Sequence, residues 1–397
     1  MMAAIRRGQS QRSVARTFRL SLSTVQYWVR RVGRQSLTEV DWANRSKAAH
    51  RIANKTTAEL ERRICVLRGQ LQQTSVLGFV GAQAIQEALF EGNSQGNLPS
   101  IRTIGRILRR NGLLDRKQRV RWPAPPPGWY LPDAAQGAVE LDAFDVIEDL
   151  GMENFGLIQV FTTRSLWSAL AGAWPAQVAS TTFILQALQV HWRAHGLPGY
   201  AQFDNDVRFQ GGHNHPDVVG RVMRLCLALG VTPVFAPPLE MGFQAAIENF
   251  NGLWQQKVWS RFYHENVPAL AAASQRFIQA YEHRLARHQE QVPQRKPFPK
   301  EWTPNFQDPP RGQIIYLRRT NAAGAVSILG HAYVVDPLWQ HRLTRCEVDL
   351  DQKEIRFFRL RRKEPQQQPL IKVIAYELPL RRFDTRPRHR HPVTEIR

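Results

Sequence analysis

Three short stretches of the chain each carry one carboxylate in a setting that suits a divalent metal ion. They are V-E-L-D-A-F at 139–144, A-Q-F-D-N-D at 201–206 and G-F-Q-A-A-I-E-N-F-N at 242–251, which contain Asp142, Asp204 and Glu248. Converged carboxylates repel one another unless cations neutralise them, and their hard oxygens suit Mg²⁺ or Mn²⁺. Two such ions about 3.5–4 Å apart can hold the attacking and leaving oxygens of a phosphodiester. The residues therefore predict metal-dependent phosphoryl transfer, with the three carboxylates as catalytic residues and metal ligands.

The elements that must position these carboxylates can be read from apolar periodicity. Both aspartates end short apolar runs typical of strands, and the glutamate lies in an amphipathic helix. The predicted strands are 139–144, 157–163, 168–174, 200–205 and 232–236, and the predicted helices are 181–195, 218–229, 242–259 and 268–288. In an open α/β sheet, strand ends and a nearby helix meet at one crevice, so groups distant in sequence can converge.

The motifs and their order resemble those of D-D-E transposases, whose core has the retroviral-integrase, ribonuclease H-like fold. D-N-D-V-R-F is similar to that family's D-N-G-x-x-F, and F-A-P-P-L-E-M-G-F-Q-A-A-I-E-N-F-N is similar to its P-P-Y-x-P-x-x-x-G-x-x-E-x-x-N/H. Y-E-H-R-L-A-R-H at 281–288 is similar to the Y-N-x-x-R-x-H of many bacterial insertion-sequence enzymes. The resemblance covers residues 138–295 and implies two Mg²⁺ (or Mn²⁺) ions held by Asp142, Asp204 and Glu248.

More than one carboxylate could be the first aspartate of the D-D-E set. Strand alternation places Glu140 and Asp142 on one face, and Asp145 on the opposite face or past the strand end. The resemblance favours Asp142, because the family's first aspartate lies within a strand of alternating apolar residues.

Rivals also exist for the second and third positions. The family places its ligand before Asn, which favours Asp204 over Asp206. Glu248 follows Pro238 by ten positions, as in the family, which favours it over Glu240. An inserted loop contains H-N-H, whose His213 and His215 have the spacing of a metal pair but lack a further ligand cluster. The role of that loop stays open.

The N-terminus has the pattern of a helix-turn-helix unit at residues 1–35. Ser10 can cap a short helix with Val14, Ala15 and Phe18 on one face, and Ser21 or Ser23 can cap a second. The outward face of the second helix would read the major groove. Its predicted DNA contacts are Ser23, Thr24, Gln26, Tyr27 and Arg30. A small three-helix bundle without DNA contact is the alternative.

A second helix-turn-helix-like domain is predicted at 57–115. Thr57 and Ser100 are helix caps, and residues 81–89 form a helix between them. The buried stripe of the last helix comprises Ile101, Ile104, Ile107 and Leu108. Its predicted DNA contacts are Arg102, Thr103 and Arg106. A helical spacer that positions the first unit is the alternative.

Composition shifts mark the remaining boundaries. A basic linker spans 36–56, a basic Pro-rich linker 116–137, the integrase-like catalytic core 138–292 and a hinge 293–310. Short alternating runs separated by turn residues predict a small antiparallel β-barrel at 311–383. A basic tail follows at 384–397.

The bulk composition limits the class of partner. A net charge of +21 over 397 residues attracts polyanions, of which DNA fits best. Three isolated cysteines offer neither zinc spacing nor an even disulfide set. No apolar stretch is long enough for a membrane span. We expect a cytoplasmic, nucleoid-associated bacterial protein without membrane contact.

The resemblance implies a DNA transposase that binds the terminal inverted repeats of a mobile element, cleaves DNA at the element's end and joins it to target DNA. Because both element ends must be held, a homo-oligomer on DNA is implied. Two alternatives are a catalytically inactive, transposase-derived DNA-binding regulator and a ribonuclease H-like nuclease.

Overall fold

A computed structural model divides the chain into two compact units, Met1–Glu61 and Arg62–Arg397. It describes residues 1–43, 56–92, 98–114, 125–212, 215–240, 242–286 and 292–379. The predicted basic tail lies outside these residues, as do most of the basic linker at 36–56 and the first part of the linker at 116–137. In the described part of the chain, no helix is both long and apolar enough to cross a membrane.

Residues 1–43 of the first unit contain three short helices, α1 (Met2–Arg6), α2 (Gln11–Thr17) and α3 (Leu22–Val32). The hydroxyls of Ser10 and Ser21 accept hydrogen bonds from backbone N–H groups in the first turns of α2 and α3, which satisfies donors that a helix start leaves unpaired. Val14 and Val25 are buried together between these helices. Phe18, which was expected on the apolar face of α2, is 47% exposed.

Three further helices follow, α4 (Ala58–Thr74), α5 (Ala82–Gly92) and α6 (Ile101–Arg110). Ser100 caps α6 by accepting a hydrogen bond from the N–H of Thr103. Ile104 and Ile107 are buried as predicted, whereas Ile101 is 47% exposed. The connection between α5 and α6 includes residues outside the description, so a second helix-turn-helix stays a prediction.

The first five strands and their helices follow the predicted β-β-β-α-β-α-β-α order. The elements are α7 (Pro132–Ala135), β1 (Leu141–Met152), β2 (Gly156–Ser165), β3 (Ala171–Ala176), α8 (Thr181–His195), β4 (Tyr200–Phe203), α9 (Val207–Gln210), α10 (Arg221–Ala228), β5 (Thr232–Phe235), α11 (Ala245–Trp254), a π-helical turn (Gln255–Trp259) and α12 (Val267–Ala286). β1, β2 and β3 are antiparallel neighbours, and β4 and β5 extend the sheet in parallel from β1.

The C-terminal strands continue this sheet, and the predicted β-barrel at 311–383 is not confirmed. The strands are β6 (Gln313–Arg319), β7 (Ala325–Ile328), β8 (His331–Val334), β9 (Leu343–Asp349), β10 (Glu354–Leu360) and β11 (Leu370–Ala375). β6 pairs in parallel with β5, and the nine-stranded order is β11-β10-β9-β6-β5-β4-β1-β2-β3. β7 and β8 form a separate hairpin. The sequence predicted where these strands lie, but β6, β9, β10 and β11 join the sheet of the preceding strands and do not form a separate barrel.

The sheet buries a core on each face, and strand alternation decides which side chains enter which core. One core contains Phe144 of β1 and side chains of α8 and α10. The other contains Leu141, Ala143 and Ile147 of β1 and side chains of α11 and α12. Even- and odd-numbered residues at the start of β1 therefore face different helices.

Candidate active site

β1 presents Asp142 and Asp145 to opposite faces of the sheet. Phe144 enters the core beside α8, whereas Ala143 and Ile147 enter the core beside α11. By alternation, Asp142 shares the face of Phe144, and Asp145 shares the face of α11. The strand continues to Met152, so Asp145 lies within it and not past its end.

Asp142 is fully buried in an ion pair with Arg295. Nη1 and Nη2 of Arg295 donate to Oδ1 and Oδ2 of Asp142 at 2.9 and 2.7 Å, and Ser165 and Trp192 donate further hydrogen bonds. Burial on its own would raise the pKa of Asp142, but Arg295 lowers that pKa below its ordinary value. Since both oxygens are already occupied, the structure does not support Asp142 as a metal ligand; the β1 carboxylate on the face of α11 is Asp145.

Asp204 directly follows β4, next to Asp145. In the parallel pairing of β1 with β4, Ala143 lies opposite Gln202. This is the last recorded pair; the same register continued two residues further brings Asp204 level with Asp145, and the charge of Asp204 acts on Asp145. The side chain of Gln202 donates to the carbonyl of Phe243 just before α11, and alternation points Asp204 to the same side.

Glu248 and Asn251 lie one turn apart on α11, which packs on this face of the sheet through Ile247 and Phe250. Nδ2 of Asn251 donates a 2.8 Å hydrogen bond to Oδ2 of Asp145, and its Oδ1 accepts one from Thr162 of β2 at 2.8 Å. Asn251 therefore fixes the orientation of Asp145. The sequence could have indicated Asn251, because it lies three positions after Glu248 and residues three apart share one face of a helix.

The charges of these carboxylates act on one another. Burial raises the pKa of Asp145 to about 6, and the negative charges of Asp204 and Glu248 add to the rise. Burial also raises the pKa of Asp204, helped by the charges of Asp206 and Glu148. Within the described residues, no lysine or arginine forms an ion pair with Asp145 or Asp204. The positive charge of Arg208 lowers the pKa of Asp204 in part, but the net pKa of both carboxylates is still raised, so a bound cation would stabilise their ionised forms.

The rival carboxylates have other partners. Asp206 caps α9 and accepts a 2.5 Å hydrogen bond from Nη2 of Arg208. Glu240 forms an ion pair with Arg319. Glu140 is buried and accepts backbone N–H groups at 167 and 168. None of the three is available beside Asp145, so Asp204 and Glu248 remain the candidates for the second and third positions.

The donor set fits a magnesium or manganese ion. In the described part of the chain, no group of three or more His, Cys, Asp or Glu side chains is placed to hold a metal ion. Mg²⁺ does not require one, because it usually keeps several waters and binds through one or two carboxylates together with substrate phosphates. Asp145 and Asp204 supply hard oxygen donors, and Glu248 lies on α11 with its charge acting on Asp145.

The predicted DNA contacts lie on accessible helix faces. Those on α3 with exposed side chains are Ser23, Gln26, Tyr27 and Arg30, while Thr24 is half-buried beside the capping Ser21. On α6, Arg102 and Arg106 are exposed and Thr103 is half-buried. Both helices therefore present cations and hydrogen-bonding groups outward.

Comparison with known proteins gives remote structural similarity. No protein-family model and no curated protein matches the chain. A simian T-cell lymphotropic virus intasome in complex with the PP2A regulatory subunit B56 gamma aligns with 66% of this chain and 84% of that chain, at 13% identity and a TM-score of 0.31. The magnesium complex of the HTLV-2 integrase catalytic core aligns with 34% of this chain and 81% of that chain, at 12% identity and a TM-score of 0.25.

The BIV integrase catalytic core aligns with 34% of this chain and 79% of that chain, at 18% identity and a TM-score of 0.24. The matched structures thus include retroviral integrase catalytic cores. Strand order and register define the fold of this chain independently of them.

Proposed function

We propose that this protein is a DNA transposase of the D-D-E class with a ribonuclease H-like core. The observation that supports the proposal is that Asp204, the residue after β4, and Glu248 on α11 both lie close enough to Asp145 of β1 for their charges to act on it. A two-metal phosphoryl-transfer site needs hard oxygen ligands that converge on a pair of divalent cations. The first position is assigned to Asp145, and the other two positions are those expected from the sequence.

In this proposal the side chains hold divalent cations in position, and the cations supply the chemistry of the reaction. Asp145 and Asp204 would bind Mg²⁺, and Glu248 would complete the ligand set from α11. Bound Mg²⁺ would lower the pKa of the attacking water or 3′-hydroxyl and neutralise charge on the phosphate. Asn251 holds Asp145 in one orientation through its 2.8 Å hydrogen bond. Little covalent chemistry falls to the protein, because positioning and charge neutralisation supply the catalysis.

The substrate in this proposal is duplex DNA. The exposed faces of α3 and α6 would bind the terminal repeats of a mobile element, and the net charge of +21 would attract the phosphate backbone. The exposed 3′-hydroxyl of the element would then attack a phosphodiester of target DNA in the same site. Joining two ends requires a homo-oligomer on DNA.

End cleavage and joining test the proposal. The full chain would be incubated with Mg²⁺ and duplexes that carry the inverted repeats flanking its reading frame, and the DNA products would be resolved on denaturing gels. We expect cleavage and joining by the wild type, and loss of both in D145N, D204N and E248Q. E240Q, which removes a carboxylate held by Arg319, is the control and should stay active. Cleavage that persists in D145N and D204N would overturn the proposal.

A further inference from the structure

A cavity of about 360 Å³ opens beside Asn205, the residue next to Asp204. Its walls come from the loop after β4, from β6 and from the β7–β8 hairpin. The lining residues include Asn205, Gly211, Tyr316, Arg318, Ser327 and Leu329, and the described lining contains no acidic side chain. This volume lies within the range of roughly 300–1,000 Å³ that is common for ligand sites.

Arg318 is the charged group of this cavity. Its Nη1 donates to the carbonyls of Ala236 and Leu317 at 3.3 and 2.9 Å, and its guanidinium lies 5.0 Å from the ring centre of Tyr316. Within the described residues, Nε and Nη2 of Arg318 donate no hydrogen bond, and no carboxylate forms an ion pair with Arg318. Burial lowers the pKa of Arg318, because a desolvated cation lacks compensation.

Arg356 of β10, in the same sheet, forms ion pairs with Glu347, Asp349 and Glu354. Arg318 differs from Arg356 because it faces a cavity whose described lining contains no carboxylate. A half-buried guanidinium that faces a cavity without an acidic side chain in its described lining is placed to receive an anion, and guanidinium groups match the oxygens of phosphate in fork geometry.

We propose that this cavity binds a phosphate group through Arg318. This inference rests on the proposed function, which identifies the phosphate as one of the DNA backbone. Ala236 follows β5, whose carboxyl end lies beside that of β4, so the cavity lies at the same sheet edge as Asp204. By alternation Arg318 shares the face of Tyr316, which is opposite the face of α11 and Asp204. A DNA strand that passes over this edge of the sheet could place a phosphate of its backbone there. Inorganic phosphate shares the same chemistry and is the other possible source.

The test measures DNA binding in EDTA, so that binding is separated from cleavage. Affinity of the full chain for a 30-base-pair duplex would be measured by fluorescence anisotropy over a range of salt concentrations. R318Q should weaken binding by roughly tenfold at low salt and reduce the slope of log affinity against log salt by about 0.9, the value for one phosphate contact. R356Q removes the same formal charge and should leave the slope unchanged.

Stability separates this role from a structural one. R318Q also removes the hydrogen bonds to the carbonyls of Ala236 and Leu317, so urea unfolding is used to show that the variant is folded. In folded R318Q, an unchanged salt slope together with the same stabilisation by 10 mM inorganic phosphate as in the wild type would overturn the inference. If 10 mM inorganic phosphate stabilises the wild type but not R318Q, while DNA binding is unchanged, the phosphate site stands and the DNA backbone is rejected as its ligand. D145N cleavage tests the proposed function separately, so either idea can fail alone.

Discussion

Arg295 holds Asp142 by two parallel hydrogen bonds, from Nη1 to Oδ1 at 2.9 Å and from Nη2 to Oδ2 at 2.7 Å. This bidentate geometry is the strongest arrangement for an arginine and a carboxylate. Arg295 also donates to the carbonyl of Gly196, just after α8. The pair therefore ties the segment after α12 to β1 and α8, and Asp142 has a structural role.

Removing one member of this pair should destabilise the fold by about 3–5 kcal/mol, because the other charge stays buried without compensation. We expect D142N and R295M each to lower the urea midpoint strongly, and the double variant to lose less than the sum of the two. A double-mutant cycle measures this coupling. Full additivity would show that the pair does not act as a unit.

Asp145 should make the stability of the protein depend on pH. Its folded pKa of about 6 lies above the ordinary value of 3.8, so the folded state binds a proton more tightly than the unfolded state. The ionised form thus costs stability above pH 6, and this cost disappears as the pH falls towards 4. In metal-free protein, D145N should be more stable than the wild type at pH 8, by at most about 3 kcal/mol.

Chemical unfolding of the two proteins from pH 4 to pH 8 measures the difference in free energy. Equal stability at pH 4 with a gain at pH 8 is the expected result. A D145N variant that is less stable throughout would show that ionised Asp145 has a stabilising partner.

Asn251 should act through Asp145. N251A removes the hydrogen bond that orients this carboxylate, and loss of such a partner typically costs 10–100-fold (order of magnitude) in metal affinity or activity. We expect the Mn²⁺ concentration for half-maximal cleavage to rise by about that factor. N249A is the matched control, because the exposed Asn249 bonds only to the backbone of its own helix in the described structure. Equal effects of the two variants would contradict a positioning role.

The exposed cations of α3 and α6 should contribute to DNA affinity. R30Q and R102Q should each reduce the salt slope of binding by about 0.9 if each side chain contacts one phosphate. Q26A would instead weaken binding to one sequence by about 1–3 kcal/mol and leave the slope unchanged. K300Q removes an exposed cation from a loop of the second unit and is the charge control. Salt slopes of R30Q and R102Q equal to that of K300Q would show that the DNA does not contact α3 and α6 through these arginines.

Local features of this fold were predictable from the sequence. The serine caps at 10, 21 and 100 and the strand positions of the C-terminal region follow from side-chain chemistry and apolar alternation, which act over a few residues. Strand partners depend on contacts far apart in sequence. The run that becomes β6 could have closed a small barrel, but it pairs with β5.

The choice between Asp142 and Asp145 illustrates the same limit within one strand. Alternation correctly separated the two side chains onto opposite faces. It could not show which face α11 would cover, because that depends on packing between elements distant in sequence. The run D-A-F-D-V-I-E-D-L continues the strand through Asp145, and this extension was the available signal.

Manganese anomalous diffraction tests the central claim most directly. Crystals of the full chain soaked in Mn²⁺ should show anomalous density about 2.1–2.2 Å from the carboxylate oxygens of Asp145 and Asp204, with Glu248 facing the same site. Asp142 should remain bonded to Arg295. Density beside Asp142, or occupied Mn²⁺ sites elsewhere with none at Asp145 and Asp204, would contradict the account.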